Sequence, residues 1–289
     1  MSRNGLGTSA AVGGKTALPS FFVIGPPRTG TSWLHTVLKG SVQLPHPTKE
    51  TRFFDKHFDR GLEWYGSHFR NVPAGKVVGE IAPTYFASPD ARERIARTIP
   101  HAKIVCTFRN PVDRVLSLYR LKRAYGLIPW KFEDALTRDP ELLESSRYAA
   151  HLKLWREAFG DCQVMATMHE DMQADPQSYL NKLLDFAGAP RVALRPSQMR
   201  RVLTTEGMTQ PRNYCWTRGA LLLADWSKAQ RLGVFVEAAK KLGAFRFFVG
   251  GGPAFPDLPD SERLKLRELF KGEVDALETL LNRDLSAWK

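Results

Sequence analysis

Residues 21 to 35 read FFVIGPPRTGTSWLH. Phe21, Phe22, Val23 and Ile24 form an apolar, strand-like run. A loop with Gly25, Pro26, Pro27 and Gly30 follows, and Thr31, Ser32, Trp33 and Leu34 open an amphipathic segment. Strand, glycine-bearing loop and helix N-terminus form the layout that cradles a phosphate, because unpaired N–H groups and the helix dipole point at the anion. The spacing is nearly that of a nucleoside-triphosphate loop: Gly25, four residues, Gly30, then Thr31-Ser32. That pattern places lysine where Thr31 stands. Here the cation comes three residues earlier, at Arg28. The loop can hold a phosphate, but the lysine that serves β- and γ-phosphates is gone, which points to a different phosphate-bearing donor. Without a ligand, the same layout is an ordinary strand-to-helix turn in which glycine relieves the backbone.

Working outward, AKIVCTFRNPVDRVLSLYR (102–120) repeats the theme. Ala102 to Phe108 reads as a buried parallel strand, and Arg109 closes it. Asn110 is placed as N-cap and Pro111 at the first helical position, with Ser117 about two turns in. A guanidinium at a strand end and a hydroxyl on the next helix can converge on one phosphate, for which arginine offers a rigid fork of donors. Taken singly, Arg109 could hold a carboxylate and Ser117 could face solvent.

Strand-like runs at 20–24, 76–81, 102–108 and 162–168 alternate with helical stretches at 31–39, 90–98, 112–125, 147–159 and 176–187. Alternation of this kind predicts an α/β fold: one domain with a central, mostly parallel sheet, helices on both faces and a P-loop-like phosphate-binding loop. Ligands then lie at the carboxyl ends of the strands, where Gly25–Ser32, Arg109 and Glu170 can share one crevice. Residues 1–18 read as a flexible tail and 19–289 as the domain. The stretch 204–219 is a candidate lid, 220–241 reads helical, Gly250-Gly251-Gly252-Pro253 breaks the chain, and 260–282 is a last helix capped by Asp260 or Ser261.

The pair PPRTGTSWL and RNPVDRVLSLYR resembles the two cofactor motifs of sulfotransferases that use 3′-phosphoadenosine 5′-phosphosulfate (PAPS). Both occur in the right order with the right internal spacing. VMATMHEDMQADPQSYLNKLLDFAG (164–188) is similar to a further family segment, with His169 in place of the usual tyrosine. PTKETRFFD (47–55) and GEIAPTYF (79–86) resemble the heparan-type and related bacterial carbohydrate branch. The resemblance runs from about residue 18 to 289 and is strongest before 190. It implies that Arg28, Thr29, Gly30, Thr31, Ser32 and Trp33 hold the 5′-phosphosulfate end, and that Arg109 and Ser117 hold the 3′-phosphate. It also implies that Glu50, beside Lys49, is the base. Lys49 and Tyr85 are then expected to touch the acceptor. The branch usually has lysine after the glutamate of GEIAPTYF, and Ile81 stands there instead.

Composition fits one enzyme domain: 289 residues, 43% of them hydrophobic, can bury a large core. No run approaches the ~18 apolar residues of a membrane span. Cys106, Cys162 and Cys215 are odd in number and far apart, without metal-type spacing. Two fall in expected strands and are read as buried hydrophobes, and a reducing cytoplasm fits. The net charge of +12 suits a poly-anionic donor. No nucleic-acid motif accompanies it; the densest basic group is Arg191, Arg195, Arg200 and Arg201. Oligomeric state is left open.

The expected chemistry is in-line transfer of a sulfuryl group to a hydroxyl or amine of a carbohydrate or other small-molecule acceptor. The product is 3′,5′-adenosine bisphosphate (PAP), and no metal is needed, since cations and N–H groups stabilise the charge. Arg28 supplies the cation. Glu50 is the base candidate, raised towards neutrality by burial near Phe53 and Phe54 and lowered by Lys49. An extended Lys49-Glu50 pair would point its side chains apart. His46, between Pro45 and Pro47, is the rival base. The alternatives are a P-loop-type nucleotide or small-molecule kinase, which Thr31 in the lysine position disfavours, and a non-catalytic nucleotide-binding protein.

Overall fold

The computed structural model describes residues 17–200, 209–229 and 251–289. Five strands form a parallel sheet: β1 (Phe21–Val23), β2 (Val42–Gln43), β3 (Val77–Ile81), β4 (Lys103–Phe108) and β5 (Val164–Met168), in the order β2-β3-β1-β4-β5. Four of these are the strands expected from the sequence. The fifth, β2, has two residues and no periodicity to announce it. β1 sits at the centre, so the loop that follows it opens between the ends of β3 and β4.

Both faces of the sheet are apolar, as a parallel sheet covered by helices requires. On one face Phe22, Ile104, Cys106 and Phe108 pack with Trp155 and Leu152. On the other, Phe21, Val23, Ile81 and Val105 pack with Leu34, Leu38, Leu183 and Leu184. The helices that contribute to these two cores are α1 (Thr31–Leu38), α2 (Pro89–Thr98), α3 (Pro111–Ala124), α4 (Tyr148–Phe159), α5 (His169–Ala174) and α6 (Pro176–Ala187). Helix α3 starts as its sequence dictates: Pro111 is its first residue, and Asn110 Oδ1 accepts from Val112 N–H at 3.0 Å and Asp113 N–H at 3.4 Å.

The carboxyl-terminal part departs from expectation in detail. Of the expected lid, 204–208 lies outside the described residues. Its remainder supplies β6 (Thr209–Pro211), which pairs antiparallel with β7 (Gly251–Ala254), and the start of α7 (Tyr214–Ala229). Gly251, read as a chain break, is thus a strand residue opposite Pro211. Gly250 and the expected helical stretch beyond 229 lie outside the described residues, as do residues 1–16. Ala17 and Leu18 pack against the core. The last helix, α8 (Asp260–Leu281), has Pro259 at its N-cap, with no side-chain cap from Asp260 or Ser261. Cys106 is buried in β4, but Cys162 is exposed in a 3-10 turn (Asp161–Gln163) just before β5, so it is not a core residue. Its strand begins two residues later than the sequence suggests.

Candidate active site

The loop between β1 and α1 is shaped by close approach. A Cβ on Gly25 would lie 1.9 Å from Thr107 Oγ1, so only glycine lets the chain cross β4 here. Thr29, fully buried, fastens the crossing: its Oγ1 lies 2.6 Å from Thr107 Oγ1 and donates to the Pro26 carbonyl at 2.8 Å. The hydroxyl of Thr29 therefore holds the loop, and its N–H is what remains for a ligand. Gly30 has φ 97° and packs against Met172 and His169. Among the described residues, the N–H groups of Thr29, Gly30, Thr31 and Ser32 meet no acceptor, leaving the start of α1 free to receive an anion.

Arg28 sits in the left-handed region at φ 80°. That conformation aims its guanidinium across the crevice, where Nε donates to Ser117 Oγ at 2.9 Å. The two motifs are thereby in direct contact. Arg109 lies close enough that its charge, after burial, lowers the Arg28 pKa. Neither arginine forms an ion pair among the described residues, and Arg109 Nη1 is buried without a partner. Two guanidinium groups held together without a carboxylate form a site that wants an anion. Arg109 is itself seated from behind: Tyr148 donates to its carbonyl at 2.9 Å, and the Tyr148 ring stacks on Phe108 at 4.8 Å.

The TKET segment returns to the same loop. Lys49 Nζ donates to Ser32 Oγ at 3.1 Å and lies 3.6 Å from Glu50 Oε1. Lys49 and Glu50 thus lie side by side, not on opposite sides as an extended pair would. Their side chains are 37% and 28% exposed, open enough to meet a ligand. Burial raises the Glu50 pKa against the lowering influence of Lys49 and Arg52, the balance the sequence anticipated. Arg52 is turned away into a pair with Asp55, its Nε at 3.1 Å from Oδ2.

The other expected site residues divide. Trp33 is 6% exposed, packs with Tyr179 and donates its indole N–H to the Gln198 carbonyl at 2.8 Å. It supports the loop from the core side. Tyr85 corrects the expectation: it is fully buried beneath Phe54 and does not line an acceptor site. Ile81 is fully buried on the α1 side of the sheet. His46 is exposed, and among the described residues nothing holds its ring. Glu170 gives one oxygen to Trp288 Nε1 at 3.1 Å and buries the other, so it serves the carboxyl-terminal turn. Arg191 pairs with Asp185 on the surface, Arg195 is exposed, and Arg201 lies outside the described residues.

Glu80 and Thr51 are the residues the sequence reading passed over. Glu80 is fully buried at the end of β3 and takes Thr51 N–H at 3.0 Å, Thr51 Oγ1 at 2.6 Å and Tyr65 Oη at 2.7 Å. The signal was present: an acidic residue inside the apolar run VVGEIA has to be bonded to be buried.

With this geometry in hand, comparison with known proteins is direct. The family model described as the sulfotransferase domain matches residues 18–212. The bifunctional heparan sulfate N-deacetylase/N-sulfotransferase 2 of Bos taurus is 28% identical over 92% of this chain. The heparan sulfate glucosamine 3-O-sulfotransferase 6 of Mus musculus is 29% identical over 62% of it. The chain spans 30% of the first relative's length and 55% of the second's. A crystal structure of a sulfotransferase from Alicyclobacillus acidocaldarius matches with TM-score 0.65 and 24% identity, over 94% of this chain and 99% of that one, which agrees with the fold.

Proposed function

The chain belongs to the sulfotransferase domain family, and from that premise we propose that it transfers a sulfuryl group from PAPS to a hydroxyl or amine of an acceptor. The observation that carries the reading is the meeting of Arg28, Arg109 and Ser117 at the junction of the two motifs, with a buried guanidinium nitrogen left unpartnered. Arg109 and Ser117 receive the 3′-phosphate of the donor. The free N–H groups of Thr29 to Ser32 receive its 5′ end.

The roles then follow from charge. The acceptor oxygen or nitrogen attacks sulfur as the bond from sulfur to the bridging phosphate oxygen breaks, and the electron pair of that bond stays on the phosphate of PAP. Arg28, the cation of the loop, and Lys49, above Ser32, neutralise the charge that develops on the bridging and sulfuryl oxygens. Glu50 takes the acceptor proton. Its raised pKa makes it a better base than an ordinary glutamate, and its exposed edge lets an acceptor approach. Among the described residues no cluster of His, Cys, Asp or Glu could hold a metal ion, and the roles assigned here call for none.

A carbohydrate acceptor is supported by the names of the relatives, one an N-sulfotransferase and one a 3-O-sulfotransferase of heparan sulfate. Amine and hydroxyl acceptors both occur among them. A reducing compartment such as the cytoplasm is supported by three free cysteines. No helix of the described residues is long and apolar enough to cross a membrane. We further propose that residues 19–289 act as one sulfotransferase domain. Calorimetry with PAP, ADP and ATP tests the reading: PAP binds most tightly if it is right, and equal affinity for PAP and ADP overturns it. An acceptor screen with labelled PAPS then names the substrate.

A further inference from the structure

Glu80 is an expensive residue for its place. A carboxylate with no exposure, bonded to a Tyr65 whose ring packs against Phe53 and Phe54, loses its hydration. An apolar side chain of similar size would pack there at lower cost. Its donors in place of water are Thr51 N–H, the Thr51 hydroxyl and the Tyr65 hydroxyl, with the Tyr85 hydroxyl more distant at 3.5 Å. Two of the three short bonds come from the residue that follows Glu50.

We propose that Glu80 is the positioning residue for Glu50: by holding the backbone and hydroxyl of Thr51, it fixes the Lys49-Glu50 pair against Ser32 at the loop. The inference rests on the reading of Glu50 as the base. The sheet supplies the anchor, because β3 is hydrogen-bonded to β1 and ends beside the loop; Ile81 pairs with Val23, two residues before Gly25. Phosphate-binding loop and base are thus referenced to adjacent strands. Thr51 also turns the chain inward, since its Oγ1 accepts from Phe53 N–H at 3.2 Å and Tyr85 Oη accepts from Phe54 N–H at 3.3 Å. The alternative anchor, Lys49, is a half-exposed side chain on a serine hydroxyl and cannot hold a backbone.

The charged and titratable groups around the pair are Lys49, Arg52, Asp55 and Glu80 for Glu50, and Tyr65, Tyr85 and Glu50 for Glu80. Both tyrosines are raised well above their ordinary values, first by burial and then by the Glu80 charge, so they stay protonated as donors.

The test follows Glu50 directly, by ¹³C NMR of protein labelled at the glutamate carboxyls, with Glu50→Gln identifying the resonance. Amide exchange of Thr51 and PAP affinity are measured alongside. Glu80→Met is expected to speed Thr51 exchange by about tenfold or more and to move the Glu50 midpoint back towards the ordinary ~4.3. Glu80→Gln keeps an oxygen for Thr51 and is expected to restore slow exchange. Thr51→Val, which removes the hydroxyl bond alone, is expected to fall between, and it decides the matter if Glu80→Met does not fold. PAP affinity stays unchanged throughout. Wild-type exchange and an unmoved Glu50 midpoint in Glu80→Met, or an unmoved midpoint in Thr51→Val, overturn the proposal. Failure of the wild type to bind PAP would overturn the sulfotransferase reading instead and leave the seating of Glu50 as measured.

Discussion

Arg28 Nε donates to Ser117 Oγ over 2.9 Å, across 89 residues of sequence, so the first loop and the third helix share one hydrogen bond at the crevice. A serine hydroxyl is a weak partner for a guanidinium. The bond therefore leaves Arg28 free to exchange Ser117 for an anion.

The 3′-phosphate should dominate recognition. PAP is expected to bind more tightly than ADP by about 1.5–3 kcal/mol, the range of a charge-assisted hydrogen bond. Arg109→Ala should abolish most of that difference while ADP affinity stays nearly constant. Calorimetry on both proteins reads the result.

Arg28→Ala should lower turnover by ~10²-fold or more, as loss of one preorganised donor to developing charge does. Arg28→Lys should retain part of the rate, since a point charge serves these oxygens with less geometric fit. Steady-state rates with labelled PAPS measure both.

Glu50→Gln should leave PAP affinity unchanged and reduce turnover by ~10²–10⁴-fold. Because the Glu50 pKa lies above its ordinary value, wild-type turnover should fall on acidification at a pH above ~4.3. That acid limb should be missing in Glu50→Gln. His46→Asn is the control and should be nearly silent; a dead His46→Asn with an active Glu50→Gln would reverse the roles.

Burial, and then the charge of Arg109, holds His169 down at about 4. The unfolded chain, with histidine near ~6.5, binds the extra proton first. Stability should therefore fall as pH drops from ~6.5 and level off near 4. His35, also at about 4, shares this window, so the informative quantity is the difference between wild type and His169→Gln. Denaturant midpoints should converge at low pH; parallel curves would show that His169 does not contribute.

Gly25→Ala places a methyl 1.9 Å from Thr107 Oγ1 and 2.4 Å from its backbone nitrogen. Backbone cannot yield as a flexible side chain does, so a loss of about 2–4 kcal/mol is expected in chemical denaturation. PAP affinity should fall with it, because the same crossing shapes the anion loop.

The fold was legible wherever one segment carried its own signal. The four longer strands and the helices α1 to α4 and α6 announce themselves through apolar runs, Pro111 after Asn110, and alternation of the two element types, whereas the six-residue α5 does not. The two-residue β2 and the β6–β7 pair had no such signal, because Val42-Gln43 is too short for periodicity and Gly251-Gly252-Pro253 reads as a break. In the candidate site, the meeting of Arg28 with Ser117 was legible because both lie in segments with a recognisable strand-loop-helix spacing. The relation of Lys49 to Ser32 was not, since it depends on where a returning segment lands. The burial of Tyr85 and the part played by Glu80 were not legible for a related reason. Sequence shows that β3 carries a glutamate and that a tyrosine follows, but only packing decides that both point into the core and meet Thr51 there.

Arg28 and Arg52 both sit at positive φ, at 80° and 53°, a region where a non-glycine residue carries a penalty of about 1–3 kcal/mol. One lies in the anion loop and the other two residues past Glu50. Laboratory selection for heat resistance would therefore be drawn to replace Arg28 by glycine or asparagine, relaxing the backbone. The survivors are expected to melt later but, on the proposed role of Arg28, to turn over ~10²-fold more slowly or worse, so thermal screening of this protein has to be paired with an activity screen from the first round.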